Sequence, residues 1–169
     1  MQKTAKYWIE KFNLTKHPEG GYFKEIYRSE EIIQKQHLPL RFSGDRNFST
    51  SIYFLLDKND FSSFHKIKSD EQWHFYAGNS LSIFVISPSG DMKTILLGDN
   101  PDKGEMFTAI IKKDYWFAAK PNDENSFSLV GCTVAPGFDF KDFTLGKHDD
   151  LLKEFPQHSK VIFEMTRQK

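Results

Sequence analysis

A chain of 169 residues with 38% hydrophobic and 27% charged side chains sits in the range of a single globular domain, here residues 1–169. Lys plus Arg and Asp plus Glu number 23 each, so no net field draws in nucleic acid or an anionic membrane. A single cysteine, Cys132, excludes an internal disulfide framework and a cysteine-built zinc cage, so any metal would need imidazole and carboxylate ligands.

The first stretch, 4-TAKYWIEKFNL-14, places Ala5, Trp8, Ile9 and Phe12 at helical spacing behind Thr4, which predicts a short capped amphipathic helix. It lacks the apolar core of a signal peptide. The longest apolar runs, such as 81-LSIFVIS-87, fall far short of the ~20 residues that cross a bilayer, so a cytoplasmic protein is expected. In 17-HPEGGYFKEIYRS-29, Gly20-Gly21 permits a positive-φ turn that lets His17, Glu19, Tyr22 and Arg28 converge. Such a cluster either lines the mouth of a barrel or forms a self-satisfied entry turn. Arg46 in 44-GDRNFST-50 offers the same choice between clamping a ligand carboxylate or phosphate and pairing at a strand edge.

From there to about residue 135 the period shortens to two. The segments 49-STSIYFLL-56, 72-QWHFYA-77, 81-LSIFVIS-87, 92-MKTILLG-98, 107-FTAIIK-112, 115-YWFAAK-120 and 126-SFSLVGCTV-134 read as strands separated by short turns, the pattern of a sandwich or barrel. In the first of these, Thr50, Ile52, Phe54 and Leu56 share the more apolar face, so Tyr53 belongs to the opposite face with a packing role. Cys132 reads as a small buried hydrophobe. At the C-terminal end, 148-HDDLLKEF-155 predicts a helix that Pro156 stops, followed by a brief helical tail.

The densest chemistry lies in 64-FHKIKSDEQWHFYAG-78. His65, Ile67, Glu71 and Gly78 occupy the spacing H-x-H-x3-E-x6-G with isoleucine at the second histidine, which resembles the first motif of the cupin superfamily. A second motif, P-x-G-x2-H-x3-N, would fall on 112-KKDYWFAAKP-121, where Phe117 stands in the histidine position. Together with 17-HPEGGYFKEIYRS-29, 46-RNFSTSIYFLL-56 and 129-LVGCTVAPGFDFKDFTLG-146, these stretches resemble the uncharacterised fifth cupin family over about residues 7–155. The resemblance implies an all-β double-stranded β-helix, a jelly-roll barrel flanked by the N- and C-terminal helices. It also implies a small-molecule pocket in the lumen and a homodimer, but no settled activity.

Of the superfamily's three histidines and one glutamate this chain matches His65 and Glu71. His74 is the tempting replacement, yet alternation puts Glu71, Trp73 and Phe75 on one face and Gln72, His74 and Tyr76 on the other. The ligand count therefore argues against a bound divalent transition metal and leaves His65 and Glu71 either as a metal-free catalytic pair or as two groups that satisfy each other in a partly buried strand pair. Three functions compete. A metal-independent isomerase or epimerase would move a proton with His65 and Glu71 on a sugar-like or small carboxylate ligand. A non-catalytic binding module would hold a metabolite with His17, Glu19, Arg46 and Glu71 against aromatic walls from Trp73, Phe75 and Trp116. A metal-dependent oxygenase or hydrolase, built on His65, Glu71 and an unidentified third ligand, ranks last.

Overall fold

The computed structural model describes residues 3–167. Helix α1 (Ala5–Phe12) starts at Thr4, whose hydroxyl accepts a hydrogen bond from the Tyr7 amide. Thirteen strands follow: β1 (Thr15–Lys16), β2 (Tyr22–Arg28), β3 (Ile32–Ile33), β4 (Arg46–Asn47), β5 (Thr50–Leu56), β6 (Ser62–Lys66), β7 (Asp70–Gly78), β8 (Leu81–Ile86), β9 (Met92–Leu97), β10 (Thr108–Ile111), β11 (Trp116–Pro121), β12 (Ser128–Ala135) and β13 (Thr144–Leu145). Helices α2 (His148–Glu154) and α3 (Ser159–Glu164) lie on either side of Pro156. No helix among the described residues is long and apolar enough to cross a membrane.

Two antiparallel sheets face each other, in the orders β1-β2-β5-β12-β7-β10 and β13-β6-β11-β8-β9, and form a jelly roll. Both inner faces are apolar at alternate positions, as the pleat requires. Phe54, Trp73, Val85, Phe117 and Val130 belong to the core between the sheets. The outer face of the first sheet is covered by α1, where Phe12 stacks on Tyr53 with ring centroids 4.5 Å apart. Tyr53 thus packs away from the lumen. On the same outer face the Thr133 hydroxyl meets Ser51 Oγ at 2.8 Å and His74 Nε2 at 3.3 Å, so His74 points away from the lumen too.

The outer face of the second sheet is covered by α2 and α3, which bury Phe64, Ile86 and Trp116 against Leu151, Phe155 and Ile162. Alternation along β11 consequently sends Trp116 outward and Phe117 inward.

Two irregularities place the polar side chains. Opposite β11, residues Phe117 and Ala119 pair with His65 and Ser62, so β6 carries one extra residue, a β-bulge. Residues three apart on a regular strand face opposite ways; with the bulge, Ser62 and His65 reach the same carboxylate. The other irregularity is the turn at Gly20 (φ 116°) and Gly21 (φ 72°), positive values that glycine adopts readily. It turns the chain so that Glu19 faces β6, where its carbonyl accepts a hydrogen bond from the Ser63 amide at 2.9 Å.

Candidate functional site

A cavity of about 310 Å³ opens inside the first sheet's end of the barrel. Its apolar wall comes from Phe23 on β2, Ile52 and Phe54 on β5, Ile67 after β6, and Val134 on β12. Phe138, Phe140 and Phe143 roof it from the segment that follows β12. His17, Glu19, His65, Glu71 and Cys132 supply the inner polar groups, while Glu25, Arg28 and Asp139 lie in the same lining.

Glu19 and His65 form the closer of two carboxyl–imidazole pairs, with Oε2 3.2 Å from Nε2. The His65 Nδ1–H donates to the Ser63 carbonyl at 2.8 Å, an acceptor only, which leaves Nε2 as the bare nitrogen of the neutral ring. On the other side, the Glu19 amide donates to His17 Nδ1 at 3.3 Å, so that nitrogen is also bare and stands 3.6 Å from Glu19 Oε2. Two lone pairs therefore confront one carboxyl oxygen, while Ser62 Oγ donates to the other at 2.8 Å. A carboxylic acid, donating to His65, suits this arrangement.

Electrostatics agree. Burial, then the charge of Glu71, push the Glu19 pKa well above the usual carboxylate range, against the Ser62 hydrogen bond. Burial lowers His65 to about 3 despite the Ser63 carbonyl, and lowers His17 to about 4. Both rings are neutral at pH 7.

Glu71 is different: it is 7% exposed, and its carboxyl has only the Cys132 thiol and the Trp73 indole as polar neighbours. Burial raises its pKa to about 7, with the Cys132 thiol and the Trp73 indole acting the other way. The Trp73 N–H has no hydrogen-bond partner among the described residues, so its effect on Glu71 is one of proximity. Cys132 is a neutral thiol, its pKa raised well above normal by burial and by Glu71.

Of the residues singled out from sequence, His17, Glu19, Arg28, His65 and Glu71 line the cavity. Tyr22, Arg46, Trp73, Phe75 and Trp116 do not. Arg46 is spent on Asp142, with Nε and Nη2 each 2.6 Å from a carboxylate oxygen in a pair that is 3% and 4% exposed. It fastens the aromatic roof instead of clamping a ligand. Trp73 lies in the core, edge-on to Phe54 and Phe117; Phe75 packs against that core from the edge; and Trp116 lies under the C-terminal helices. The expected His65–Glu71 pair is also rearranged, since Glu19 is the group that His65 contacts.

Arg28 fastens the roof from the other side. Its guanidinium takes both Glu25 oxygens at 2.9 and 2.6 Å, Asn47 Oδ1 at 2.8 Å and the Phe138 carbonyl at 3.2 Å. Asp142 and the roof phenylalanines were missed from sequence. An acidic residue among PGFDFKDF was the available signal, but its partner lies 96 positions away.

The metal set of the superfamily does not fit these residues. Ile67 fills one imidazole position, and Phe117 fills another with its ring centroid 4.0 Å from that of His65. His65 Nε2 is already engaged by Glu19, and no group of three or more His, Cys, Asp or Glu among the described residues is arranged to hold a metal ion.

The chain resembles known proteins along nearly its whole length. It is 34% identical over 155 residues to the Uncharacterized protein YML079W of Saccharomyces cerevisiae, covering 86% of this chain and 76% of that protein. The crystal structure of protein SO0799 from Shewanella oneidensis superimposes with a TM-score of 0.90 at 38% identity, over 99% of this chain and 100% of that one. A hypothetical protein from Leishmania major gives 0.88 at 30% identity, over 98% and 100%. Residues 6–146 match the family model described as Cupin superfamily (DUF985), and with the jelly roll and its lumen in place the chain belongs to that family.

Proposed function

We propose that the lumen binds a small organic molecule and exchanges a proton with it without a metal, in the manner of an isomerase or epimerase. One observation carries this reading: a buried carboxyl with only the Cys132 thiol and the Trp73 indole as polar neighbours, Glu71, shares a 310 Å³ cavity with a carboxyl that its surroundings hold protonated, Glu19. The two environments push the two pKa values apart, which separates a base from an acid. Glu71, at about 7, is the base at neutral pH. It takes a proton from a carbon next to a carbonyl and leaves an enol or enolate. Returning the proton to the same carbon, on its original or opposite face, re-forms the carbonyl compound and regenerates the Glu71 base, so no co-reactant is consumed. His65 does not meet the ligand as a base; it holds the acid proton of Glu19 in place.

The test is to incubate the protein in heavy water with a panel of small aldehydes, ketones and keto sugars and to follow deuterium at the α-carbon by NMR. Wild type incorporates deuterium into the ligand it binds, and Glu71→Gln does not, with its melting transition retained. Equal exchange by the two proteins sinks the proposal.

A non-catalytic binding module is the second reading, favoured by one feature. Glu19, His65, Ser62 and the Ser63 carbonyl already satisfy one another, as structural groups do. A ligand that binds without any exchange assigns the lumen to that role.

A further inference from the structure

His17 Nδ1 accepts the Glu19 amide, which commits the proton of the neutral ring to Nε2. That Nε2–H has no protein acceptor among the described residues, and the ring, stacked near Phe140 and edge-on to Phe23 and Phe54, lines the cavity. Burial keeps the ring neutral, with its pKa at about 4, so it enters the cavity as a dipole and not a charge. The same lining includes Glu71, whose carboxyl has only the Cys132 thiol and the Trp73 indole as polar neighbours. A donor without a protein acceptor and a carboxyl met only by a weak thiol donor and an indole thus share one apolar chamber, and a buried donor left unpaired is costly.

The charges around them decide the class of ligand. Among the described residues Arg28 is the one Lys or Arg in the lining, and its guanidinium is taken by Glu25, Asn47 and the Phe138 carbonyl. Arg46 is taken by Asp142. A carboxylate or phosphate would therefore enter beside two carboxyl groups with no cation to meet it, at the full cost of desolvation. An ammonium ligand would satisfy Glu71 but leave the His17 N–H without an acceptor. A neutral carbonyl compound satisfies both, its oxygen accepting from His17 and its α-hydrogens near Glu71.

We propose that the lumen selects small uncharged aldehydes or ketones with an apolar body, and that His17 Nε2–H is the hydrogen-bond donor to the carbonyl oxygen. This rests on the reading of Glu71 as the base, since the same donor that orients the carbonyl stabilises the oxygen of the enolate as charge develops there. It narrows the sequence-based expectation of a sugar-like or carboxylate ligand to uncharged molecules.

The experiment uses the full-length protein and four matched probes: cyclohexanone, cyclohexane, cyclohexylamine and cyclohexanecarboxylate. Imidazole nitrogen NMR of the wild type should give His17 as the Nε2–H tautomer. Cyclohexanone labelled with carbon-13 at the carbonyl should bind with its carbonyl stretch moved to lower frequency than in hexane. His17→Phe should remove that shift and weaken binding by about tenfold at most, the worth of one neutral hydrogen bond. An Nδ1–H tautomer, an unmoved stretch, no cyclohexanone binding up to its solubility, or carboxylate or amine binding as tight as the ketone overturns the proposal. Should His17→Phe fail to fold, the tautomer and the stretch of the wild type decide it alone. Deuterium exchange is read separately: a shifted carbonyl without α-exchange keeps this inference and removes the catalytic reading, while exchange with an unmoved stretch does the reverse.

Discussion

Glu19 and His65 lie 3.2 Å apart, 5% and 2% exposed, and their environments move their pKa values in opposite directions. Glu19 goes up and His65 goes down, so the folded protein holds this pair without net charge. The same opposition recurs between Glu71, raised to about 7, and His17, lowered to about 4.

Stability against pH follows from that opposition. Between about pH 4.5 and 6.5 the folded state keeps a proton on Glu19 and on Glu71 and none on His17 or His65; the unfolded chain, with ordinary values of 4.5 and 6.5, does the reverse. Both states bind the same number of protons through these four groups, so their contribution is flat across the window. The raised carboxyls contribute stability at low pH that is lost as pH rises through their folded values. The lowered histidines contribute stability at high pH that is lost as pH falls below 6.5. Glu71→Gln removes one of the folded state's protons and breaks the balance. Urea unfolding of that variant should show stability rising with pH across the window by about 1.4 kcal/mol per unit relative to wild type. Parallel profiles for the two proteins would refute it. The ion-paired carboxylates Asp60 and Asp70, both lowered, titrate below the window and leave it undisturbed.

The Arg46–Asp142 pair should be a point of failure for the roof. Removing either partner leaves a buried charge without its two-pronged counterpart, a loss of about 3–5 kcal/mol. Lys68, whose ammonium stands 3.6 Å from Asp142, cannot replace the two-pronged contact of Arg46. Arg46→Met should therefore destabilise strongly in urea, while Arg46→Met combined with Asp142→Leu regains most of the loss. Non-recovery in the double variant would show that the pair contributes through geometry and not through its charges.

Much of this architecture is legible in the chain, and the misreadings have a common cause. Periodicity and apolar runs predict strands at β5, β7, β8, β9, β10, β11 and β12: β10 alternates, β8, β11 and β12 are largely buried on both faces, and β9 is exposed over residues 92–94 and buried at Leu97. The same parity separates His74 from Glu71. Strand β2 reads as a polar cluster because most of Tyr22–Arg28 is exposed, and its neighbours supply the pairing that its own pattern does not advertise. Parity also says that Trp116 and Phe117 face opposite ways, but which way is inward depends on helices α2 and α3, more than thirty positions later. Glu19 and His65 meet through a glycine turn and a bulge, neither of which has a period. Local rules find the strands; contacts between distant turns assemble the polar site.

Gly20 and Gly104 offer a matched comparison of backbone freedom against packing. Both have positive φ, 116° and 77°, so alanine is strained at either. At Gly104 a Cβ meets nothing within 4 Å, and Gly104→Ala should cost about 1 kcal/mol. At Gly20 the added carbon would run into the Phe61 carbonyl oxygen and the Arg167 guanidinium. Backbone oxygen cannot move aside without breaking the approach of the turn to β6, so Gly20→Ala should cost about 3 kcal/mol or more. Thermal melts of the two variants check the ranking, and equal shifts would contradict it.

The isoleucine in the histidine spacing yields the last test. Ile67 lines the same cavity as His65 and Glu71, so Ile67→His adds an imidazole at the position the superfamily motif reserves for one. The substitution alone should still bind metal poorly. A metal needs the lone pair of His65 Nε2, and that nitrogen stands 3.2 Å from a carboxyl that burial holds protonated. Each metal ion that binds must first displace this proton and its hydrogen bond, which ties affinity to pH. Ile67→His with Glu19→Ala frees the nitrogen and leaves two imidazoles and the Glu71 carboxylate. Cobalt titration, followed by the visible absorption of the bound ion, should then give tight, saturable binding in the double variant and little in the single one. If Ile67→His alone takes up a full equivalent as tightly as the double variant, Glu19 is not what holds His65 away from a metal. In that event Ile67 itself is the whole barrier.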